Sequence, residues 1–361
     1  MRDNASVIST EADRKDANLP DLDLPDGWSA AVPDEADATE LTALLREHEE
    51  HARGWAGAGE DDVLVEVGAK GAMVRHNVVL RDPDGLIRGW GTAHDRAAGR
   101  MLMQFVVARD LDDTRADSVA AVLLEWADWA ARDIGGGRDL AMQQIDSGAF
   151  ADDPRQHRWL EKAGYEKVRN WWQMTRPVAP EDVDLAPEPD RGVIIRPVMR
   201  QGGGMPDEDD LRIVHDIVES AFADHFNHAE ETFDEFIFRL REDPGHRWDH
   251  WWIAELVDGD EPEPVGALVG TMLEGGLDEK GAPKPDGSYV SYIGVLQTAR
   301  GRGVAKALLN MIIADAASRQ RDRVGLEVDA DSPTGADGLY VSMGWKTKYV
   351  TQSWHRDVPV D

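Results

Sequence analysis

The chain has 361 residues, with 39 lysine and arginine against 70 aspartate and glutamate side chains, which gives a formal net charge of −31. This charge should repel the phosphates of nucleic acids and anionic lipids, and no apolar run approaches the roughly 20 residues of a membrane-spanning helix, so we expect neither nucleic acid nor a membrane as a partner. Cysteine is absent, which excludes disulfides, zinc–thiolate sites and a cysteine nucleophile.

The acidic excess leaves two interpretations open. The simpler one is that the charge keeps the chain soluble, and the other is that it attracts cationic substrates such as amines. Residues 1–25 are acidic and lack an apolar stretch, so they do not have the pattern of a signal peptide, and we expect a cytoplasmic protein.

Composition divides the chain into four segments. Residues 1–26 are acidic, poor in aromatic residues and without periodicity, which predicts a disordered tail. Residues 178–191 combine proline with acidic residues and have no apolar face, which predicts a linker. The linker separates a first domain at 27–177 from a second domain at 192–361.

Apolar periodicity predicts alternating helices and strands in the first domain. In chain order they are a helix at Glu35–His51, strands at Val63–Val67, Val74–Arg81, Leu86–Ala93 and Met101–Ala108, a helix at Ser118–Arg132, a strand at Leu140–Ile145, a helix at Arg155–Ala163 and a strand at Tyr165–Arg176.

The second domain repeats this order of elements, which indicates a duplication although few residues are identical. Its elements are a strand at Val193–Val198, a helix at Asp207–Ala223, a short helix around Phe233–Leu240, strands at Trp251–Val257, Val265–Leu273 and Tyr289–Leu296, a helix at Gly303–Arg319, a strand at Val324–Val328, a helix at Thr334–Met343 and a strand at Trp345–Trp354.

One segment of the second domain places a strand, a basic glycine turn and a helix start in immediate succession. Glycines let the backbone approach a ligand, arginines add positive charge, and a helix N-terminus exposes unpaired N–H groups, so the segment predicts a phosphate cradle. The alternative is a basic surface turn or a solvated helix cap. The residues expected to contact a ligand are Ile293, Gly294, Val295, Arg300, Gly301, Arg302, Gly303, Val304 and Ala305.

The spacing Arg300-x-x-Gly303-x-Ala305 fits the pattern Gln/Arg-x-x-Gly-x-Gly/Ala and resembles motif A of the GNAT family of N-acetyltransferases. A Rossmann loop has a different glycine spacing, and a Walker A loop needs a Gly-Lys-Ser/Thr that is missing here. A second segment, from Ser332 through Tyr340 to Trp345, resembles GNAT motif B, with Ser332 where the family often has Asn.

The resemblance covers residues 192–357 and implies an α/β (α+β) fold with two tandem GNAT-like domains, each a mixed, mostly antiparallel sheet flanked by helices. This arrangement is similar to that of mycothiol synthase. It implies acetyl-CoA as cosubstrate without a metal, contacts to it from the loop and from Ser332, and direct transfer to the amine of a small molecule. Tyr340 would protonate the departing CoA thiolate. The alternatives are a sensor that binds acyl-CoA without turnover, and a structural protein that retains only the fold.

The corresponding loop of the first domain, at residues 107–117, has no glycine and carries four aspartates. Carboxylates there oppose an anion, so we expect a GNAT-like fold without CoA binding, which supports the second domain and helps wall the acceptor pocket. Whether the protein is a monomer or a homodimer stays open.

The general base has several candidates and no clear one. Glu327 and Asp329 alternate with Val328 on one strand, so either side chain can point at the site. Glu274 and Glu255 are weaker candidates. His225 is either a base or a helix-end histidine. The group Trp248, His250, Trp251 and Trp252 either contacts the acceptor or, as we favour, packs in the core.

Overall fold

A computed structural model describes residues 19–96, 99–185, 192–200, 204–223, 231–257, 259, 261–276, 282–331 and 335–360. Residues 1–18 of the predicted tail and 186–191 of the predicted linker lie outside this part of the chain. The fold consists of two compact units. The first holds the described residues within 1–149, 153–167 and 354–361, and the second those within 150–152 and 168–353.

The first unit contains a sheet whose strands neighbour each other in chain order. All of its strand pairs are antiparallel except the β4–β5 pair, which is parallel. Its elements are β1 (Ser29–Ala31), α1 (Ala38–Arg53), α2 (Glu60–Val67), β2 (Arg75–Arg81), β3 (Ile87–Arg96), β4 (Arg100–Val107), α3 (Asp113–Gly137), β5 (Met142–Phe150) and α4 (Pro154–Lys162).

The predicted strand at Val63–Val67 is wrong, because these residues form the end of α2. Three acidic residues fill the first turn of that helix, where negative charge is stabilising. Val63 and Val67, four residues apart, are both buried on one helical face. The run is rich in valine, which favours a strand, and it is too short for its periodicity to distinguish a helix from a strand.

The second unit contains a mixed sheet with the neighbour order β6, β11, β10, β9, β8, β7, and residues 346–353 of β12 lie beside β6. Only the β10–β11 pair is parallel among the pairs described. The elements that lie wholly or partly in this unit are β6 (Glu166–Pro177), β7 (Val193–Pro197), α5 (Glu208–Phe222), α6 (Phe233–Glu242), β8 (His246–Leu256), β9 (Glu263–Leu273), β10 (Gly287–Val295), α7 (Val304–Ser318), β11 (Arg323–Asp329), α8 (Ala336–Ser342) and β12 (Lys346–Pro359).

Helices cover both faces of the second sheet. Strand β8 shows why, since Trp252 and Ala254 pack with α7 and α8 on one face, whereas Trp251 and Ile253 pack with α5 and α6 on the other. This alternation follows from the two-residue period of a strand. We call these the α7 face and the α5 face.

The fold class predicted from the sequence is confirmed, since each unit has a mixed, mostly antiparallel sheet flanked by helices. Both units also contain a strand, a long helix and a parallel strand in succession, which are β4–α3–β5 and β10–α7–β11. No helix among the described residues is both long and apolar enough to cross a membrane.

A buried polar cluster joins β8, α7 and β10. The side chain of His250 is fully buried, and Arg321 donates hydrogen bonds to its Nε2 and, at 2.9 Å, to the Ser288 hydroxyl. Since Nε2 accepts, the imidazole proton sits on Nδ1, which lies 2.8 Å from the Asp315 carboxylate. Burial lowers the pKa of His250 despite that carboxylate, so the histidine is neutral in the folded chain.

This cluster predicts a loss of stability in acid. The unfolded chain takes up a proton on His250 below its ordinary pKa of about 6.5 while the folded chain does not, so the free energy of unfolding falls as the pH drops. Between pH 7.5 and 5.5 the loss from this one group is at most about 1.4 kcal/mol. Urea denaturation followed by tryptophan fluorescence should show a smaller pH dependence for His250→Gln, by that amount, than for wild type. The matched change at the exposed His51, His51→Gln, should leave the dependence unchanged. Equal dependence in wild type and His250→Gln would contradict the assignment.

Candidate active site

The loop before α7 contains two glycines whose backbones adopt the left-handed conformation. After a short 3-10 turn at Gln297–Ala299, Gly301 has φ 77° and Gly303, the N-cap of α7, has φ 83°. A Cβ atom added to either glycine would meet no atom within 4 Å, so the backbone here faces open space. The first N–H groups of α7 have no partner within the helix and point toward that space. The loop therefore has the geometry of an anion site.

Positive charge surrounds this loop. Arg300 is exposed and Arg302 half-buried, and the first turn of α7 contains no acidic residue. The structure adds Lys306, which is exposed in that first turn and which the sequence analysis missed. The position of Lys306 three residues after Gly303 was the available signal, because i and i+3 residues share a helix face. Three cations thus stand at one helix N-terminus in a strongly acidic chain.

Next to this loop, β10 and β11 separate. Among the described residues their parallel pairing joins Ser288–Val290 to Val324–Leu326 and ends there. A register shift between Val290 and Tyr292 marks a bulge in β10 at the same point. Residues 291–295 therefore continue along β9 but do not pair with β11. Their backbone groups on the β11 side are available to an extended ligand that carries amides.

The strand residues predicted to contact a cofactor lie along this opening. Ile293 and Val295 are half-buried against the α7 face. Gly294 is buried, and a Cβ atom there would lie 3.0 Å from Cβ of Ala221 in α5. A glycine at this position therefore allows α5 to pack closely on β10. In the first turn of α7, Val304 is buried and Ala305 half-buried, so these two residues offer backbone rather than side-chain contacts.

Tyr340 lies in α8 at the edge of the α7-face core. Its side chain is 7% exposed, and its ring contacts Trp345 edge-on at 6.0 Å between centroids. Burial raises the pKa of Tyr340, so the phenol holds its proton firmly at neutral pH. Ser332, the other residue predicted from motif B, lies outside the described residues.

A carboxylate stands on the opposite face of β11. Leu326 and Val328 belong to the α7-face core, so Glu327 between them projects from the α5 face. Its carboxylate accepts a hydrogen bond from Nε2 of Gln173, which also donates to the Thr351 hydroxyl at 3.1 Å. Glu327 is exposed to solvent, yet burial among surrounding protein atoms raises its pKa.

The other candidates for a base have structural roles or stay outside the site. Asp329 accepts a hydrogen bond from the backbone N–H of Asp331 at 2.8 Å, and Glu255 pairs with Arg196 at 2.8 Å. Glu274 is an exposed residue directly after β9. The tryptophans 251 and 252 and His250 are buried, so the core-packing interpretation holds for them. His225 lies outside the part of the chain that the structure describes.

In the first unit, the arginine of the loop before α3 is already bound by neighbouring side chains. Arg109 donates a hydrogen bond to Nδ1 of His48 at 2.8 Å and pairs with the buried Asp153. Burial, followed by the charge of Arg109, lowers the pKa of His48 to about 4, so the histidine stays neutral. The guanidinium that could meet a phosphate here is therefore already bound.

An open cavity of about 630 Å³ adjoins this loop of the first unit. Asp112 caps α3 by accepting a hydrogen bond from the N–H of Arg115 at 3.1 Å, and Asp110 pairs with Arg88 at 2.5 Å. Five aspartates and two arginines are among the lining residues, which are Pro25, Asp26, Trp28, Asp82, Pro83, Asp84, Arg88, Asp110, Leu111, Asp112 and Arg115. Its charge disfavours an anionic ligand.

The second unit thus combines a parallel strand pair that separates, a glycine loop and a helix with a cationic N-terminus. Residues 212–345 match the model of the acetyltransferase (GNAT) family, which confirms the resemblance found in the sequence. Members of this family are acyltransferases, and they take their acyl groups from acyl-CoA donors.

Two solved structures share the fold. A GCN5-related N-acetyltransferase from Sphaerobacter thermophilus is 23% identical with a TM-score of 0.71, covering 93% of this chain and 97% of its own. A tandem GNAT protein from the clavulanic acid biosynthesis pathway is 13% identical with a TM-score of 0.65, covering 92% of this chain and all (100%) of its own. The mycothiol acetyltransferase of Beutenbergia cavernae is 24% identical over 277 residues, which are 75% of this chain and 80% of that protein.

The open space at Gly303 predicts how a substitution there changes acetyl-CoA binding. Gly303→Glu puts a carboxylate into the anion site, and we expect the Kd to rise about 100-fold, because a hydrogen bond to a charged group contributes about 1.5–3 kcal/mol. A non-glycine residue also strains the left-handed backbone by about 1–2 kcal/mol. Gly303→Asn is the matched control, because asparagine tolerates this backbone and adds no charge. Isothermal titration calorimetry that gives both variants the same Kd would show that the loop does not hold the phosphates.

Proposed function

We propose that this protein is an acetyl-CoA-dependent N-acetyltransferase, that it acetylates the amine of a small molecule, and that its active site lies in the second unit. The observation that carries the proposal is the glycine-opened, cationic N-terminus of α7 beside the opening between β10 and β11. The chain is also expected to be cytoplasmic, as a monomer or a homodimer.

The residues present fit the two halves of the donor. The pyrophosphate needs N–H donors and positive charge, which the start of α7 with Arg300, Arg302 and Lys306 supplies. The pantetheine arm is extended and carries two amides, which suit the strand edge at residues 291–295. No group of metal-ligating side chains is found among the described residues, and the proposed chemistry requires none.

The proposed reaction is a direct attack of a neutral amine on the thioester. Backbone N–H groups at the bulge of β10 would polarise the thioester carbonyl, because they are fixed dipoles at a strand edge. Tyr340 would donate its phenolic proton to the departing thiolate. The raised pKa of Tyr340 keeps this proton in place until the thiolate forms.

The first unit is proposed to bind no CoA. Its corresponding loop has Asp110, Asp112 and Asp113 where the second unit has glycine and arginine, and its one buried guanidinium is engaged by Asp153. An anion placed there would meet like charge and break an existing ion pair. The two units would thus share a fold and differ in chemistry.

A second candidate function is an acyl-CoA sensor without turnover. It is favoured by the absence of a carboxylate from β10, the strand directly before the phosphate loop. The two candidates agree on the donor site and differ only in whether an amine reacts.

The experiment that separates them is a thiol-release assay with acetyl-CoA and a panel of primary amines, combined with acetyl-CoA calorimetry. The proposed enzyme binds acetyl-CoA and releases free thiol in proportion to an acetylated amine identified by mass spectrometry. The sensor binds acetyl-CoA and releases no thiol with any amine. Absence of binding would refute both.

Replacing the phenol at 340 tests the proposed acid. Tyr340→Phe keeps the ring that packs on Trp345, so the fold should survive and only the proton is lost. We expect kcat to fall about 100-fold, at the low end of the usual range for general acids because a thiolate is a good leaving group, while the acetyl-CoA Kd changes less than about twofold. An unchanged kcat removes Tyr340 from the acid role. A raised KM for acetyl-CoA at constant kcat would instead assign it to donor binding.

A further inference from the structure

The carboxylate of Glu327 carries a charge that the described residues do not compensate. No lysine, arginine or histidine of the described chain lies within ion-pair distance of it, and its hydrogen bond comes from the neutral amide of Gln173. Buried acidic side chains elsewhere in this unit are paired, as Glu255 and Asp210 are with Arg196. A carboxylate whose pKa is raised by neighbouring protein atoms and that has no counter-ion is stabilised by a ligand that brings a positive charge.

Its position places this charge next to the proposed site of transfer. The last paired residue of β11 is Leu326, and Glu327 follows where β10 and β11 have begun to separate. Leu326 packs on the α7 face, so the Glu327 side chain projects from the α5 face. A donor anchored at the N-terminus of α7 approaches the opening from one face, and the acceptor side is then the face that carries Glu327.

Aromatic side chains lie near Glu327. Tyr289 of β10 lies across Gly325, whose added Cβ would come within 3.0 Å of the ring. Burial, followed by the charge of Glu327, raises the pKa of Tyr289, and the nearby phenols of Tyr292 and Tyr349 act in the same direction. Tyr289 therefore stays neutral at neutral pH beside the Glu327 carboxylate.

Arg239 of α6, on the same face, is already paired. It pairs with Glu231 at 2.6 Å and donates to the Tyr292 hydroxyl at 2.8 Å. It leaves the charge of Glu327 uncompensated. The face around Glu327 therefore presents a carboxylate, without an ion-pair partner among the described residues, near aromatic rings, which suits an ammonium group on a small organic molecule.

We propose that Glu327 is the acceptor-side catalytic base of this protein, that it binds the ammonium group of a cationic amine and takes its proton, and that Gln173 is its positioning residue. This inference rests on the proposed transferase function and names the acceptor class and the base for the same site. The raised pKa of Glu327 brings its basicity closer to that of the amine than an exposed glutamate would.

The ammonium group loses two protons during the transfer. The ammonium gives one proton to the Glu327 carboxylate and becomes a neutral amine. Its lone pair forms the new C–N bond at the thioester carbon, the C–S bond breaks, and the electron pair leaves on sulfur. The amine nitrogen loses a second proton, the thiolate takes up one, and one proton is released to solvent for each amide formed.

Gln173 reaches this site from the first half of the sequence. Strand β6 pairs antiparallel with β11 in the second unit, and the register sets Gln173 directly opposite Glu327. The second hydrogen bond of Gln173, to Thr351 of β12, fixes its amide. Its hydrogen bond to the carboxylate favours the charged form and so opposes the effect of burial on the pKa of Glu327.

The test compares Glu327→Gln, wild type and a control. Glu327→Gln keeps the size of the side chain and removes its charge, so the acetyl-CoA Kd by calorimetry should stay within about twofold of wild type. The kcat/KM for the best amine of the panel should fall about 100- to 1,000-fold. The matched control is Glu263→Gln, at an exposed glutamate at the start of β9, which should keep wild-type kinetics.

The pH profile of kcat/KM distinguishes a catalytic base from a residue that only lines the site. Wild-type kcat/KM should rise with pH through the pKa of Glu327, since only the carboxylate form accepts a proton, and Glu327→Gln should lack this rise. Gln173→Met removes the stabilising hydrogen bond, so its rise should shift to higher pH while the acetyl-CoA Kd is unchanged.

The outcomes distinguish this inference from the function on which it rests. If wild type acetylates an amine and Glu327→Gln does so with the same kcat/KM and pH profile, the inference fails and the transferase function stands. An unshifted profile in Gln173→Met overturns the positioning role alone. If wild type binds acetyl-CoA and acetylates no amine, the proposed function fails and Glu327 loses its role with it.

Discussion

The feature on which the proposed site depends is the limited pairing between β10 and β11. Three residue pairs hold these parallel strands together, and the bulge after Val290 ends their contact. Full pairing would satisfy the strand edge at residues 291–295 and leave no opening through the sheet. The separation exposes backbone donors and acceptors, and it brings the α7 loop and Glu327 to opposite faces of one gap. Donor and acceptor can then approach the same point from different sides.

A chain of net charge −31 must still bind a polyanion if the account is right. The loop cations and the first N–H groups of α7 act within a few ångströms, whereas the Debye length is about 10 Å at 0.1 M salt, so distant surface acids are largely screened. The acidic excess has a direct consequence only where it is local. One such place is the cavity of the first unit, which aspartates line, and another is Glu327, whose uncompensated carboxylate is suited to a cation.

Much of the fold could be predicted from sequence because the strands and helices have clear apolar periods. The exception, α2, is short, and its two buried valines were insufficient to distinguish a helix from a strand. The loop at Arg300–Ala305 was found because its function needs glycines and arginines close together in the chain. Glu327 was one of several possible bases, because its distinguishing partner, Gln173, is 154 residues away and meets it only through the β6–β11 pairing. The charge balance that singles out Glu327 requires the three-dimensional structure.

We propose that the second unit alone holds the donor, and a crystal structure of the full chain with acetyl-CoA would decide this. We expect one molecule per chain, with the pyrophosphate on the N–H groups of Gly303 to Ala305 and the pantetheine arm along residues 291–295 of β10. Density for CoA at the aspartate-lined cavity of the first unit, or a second molecule bound there, would contradict it.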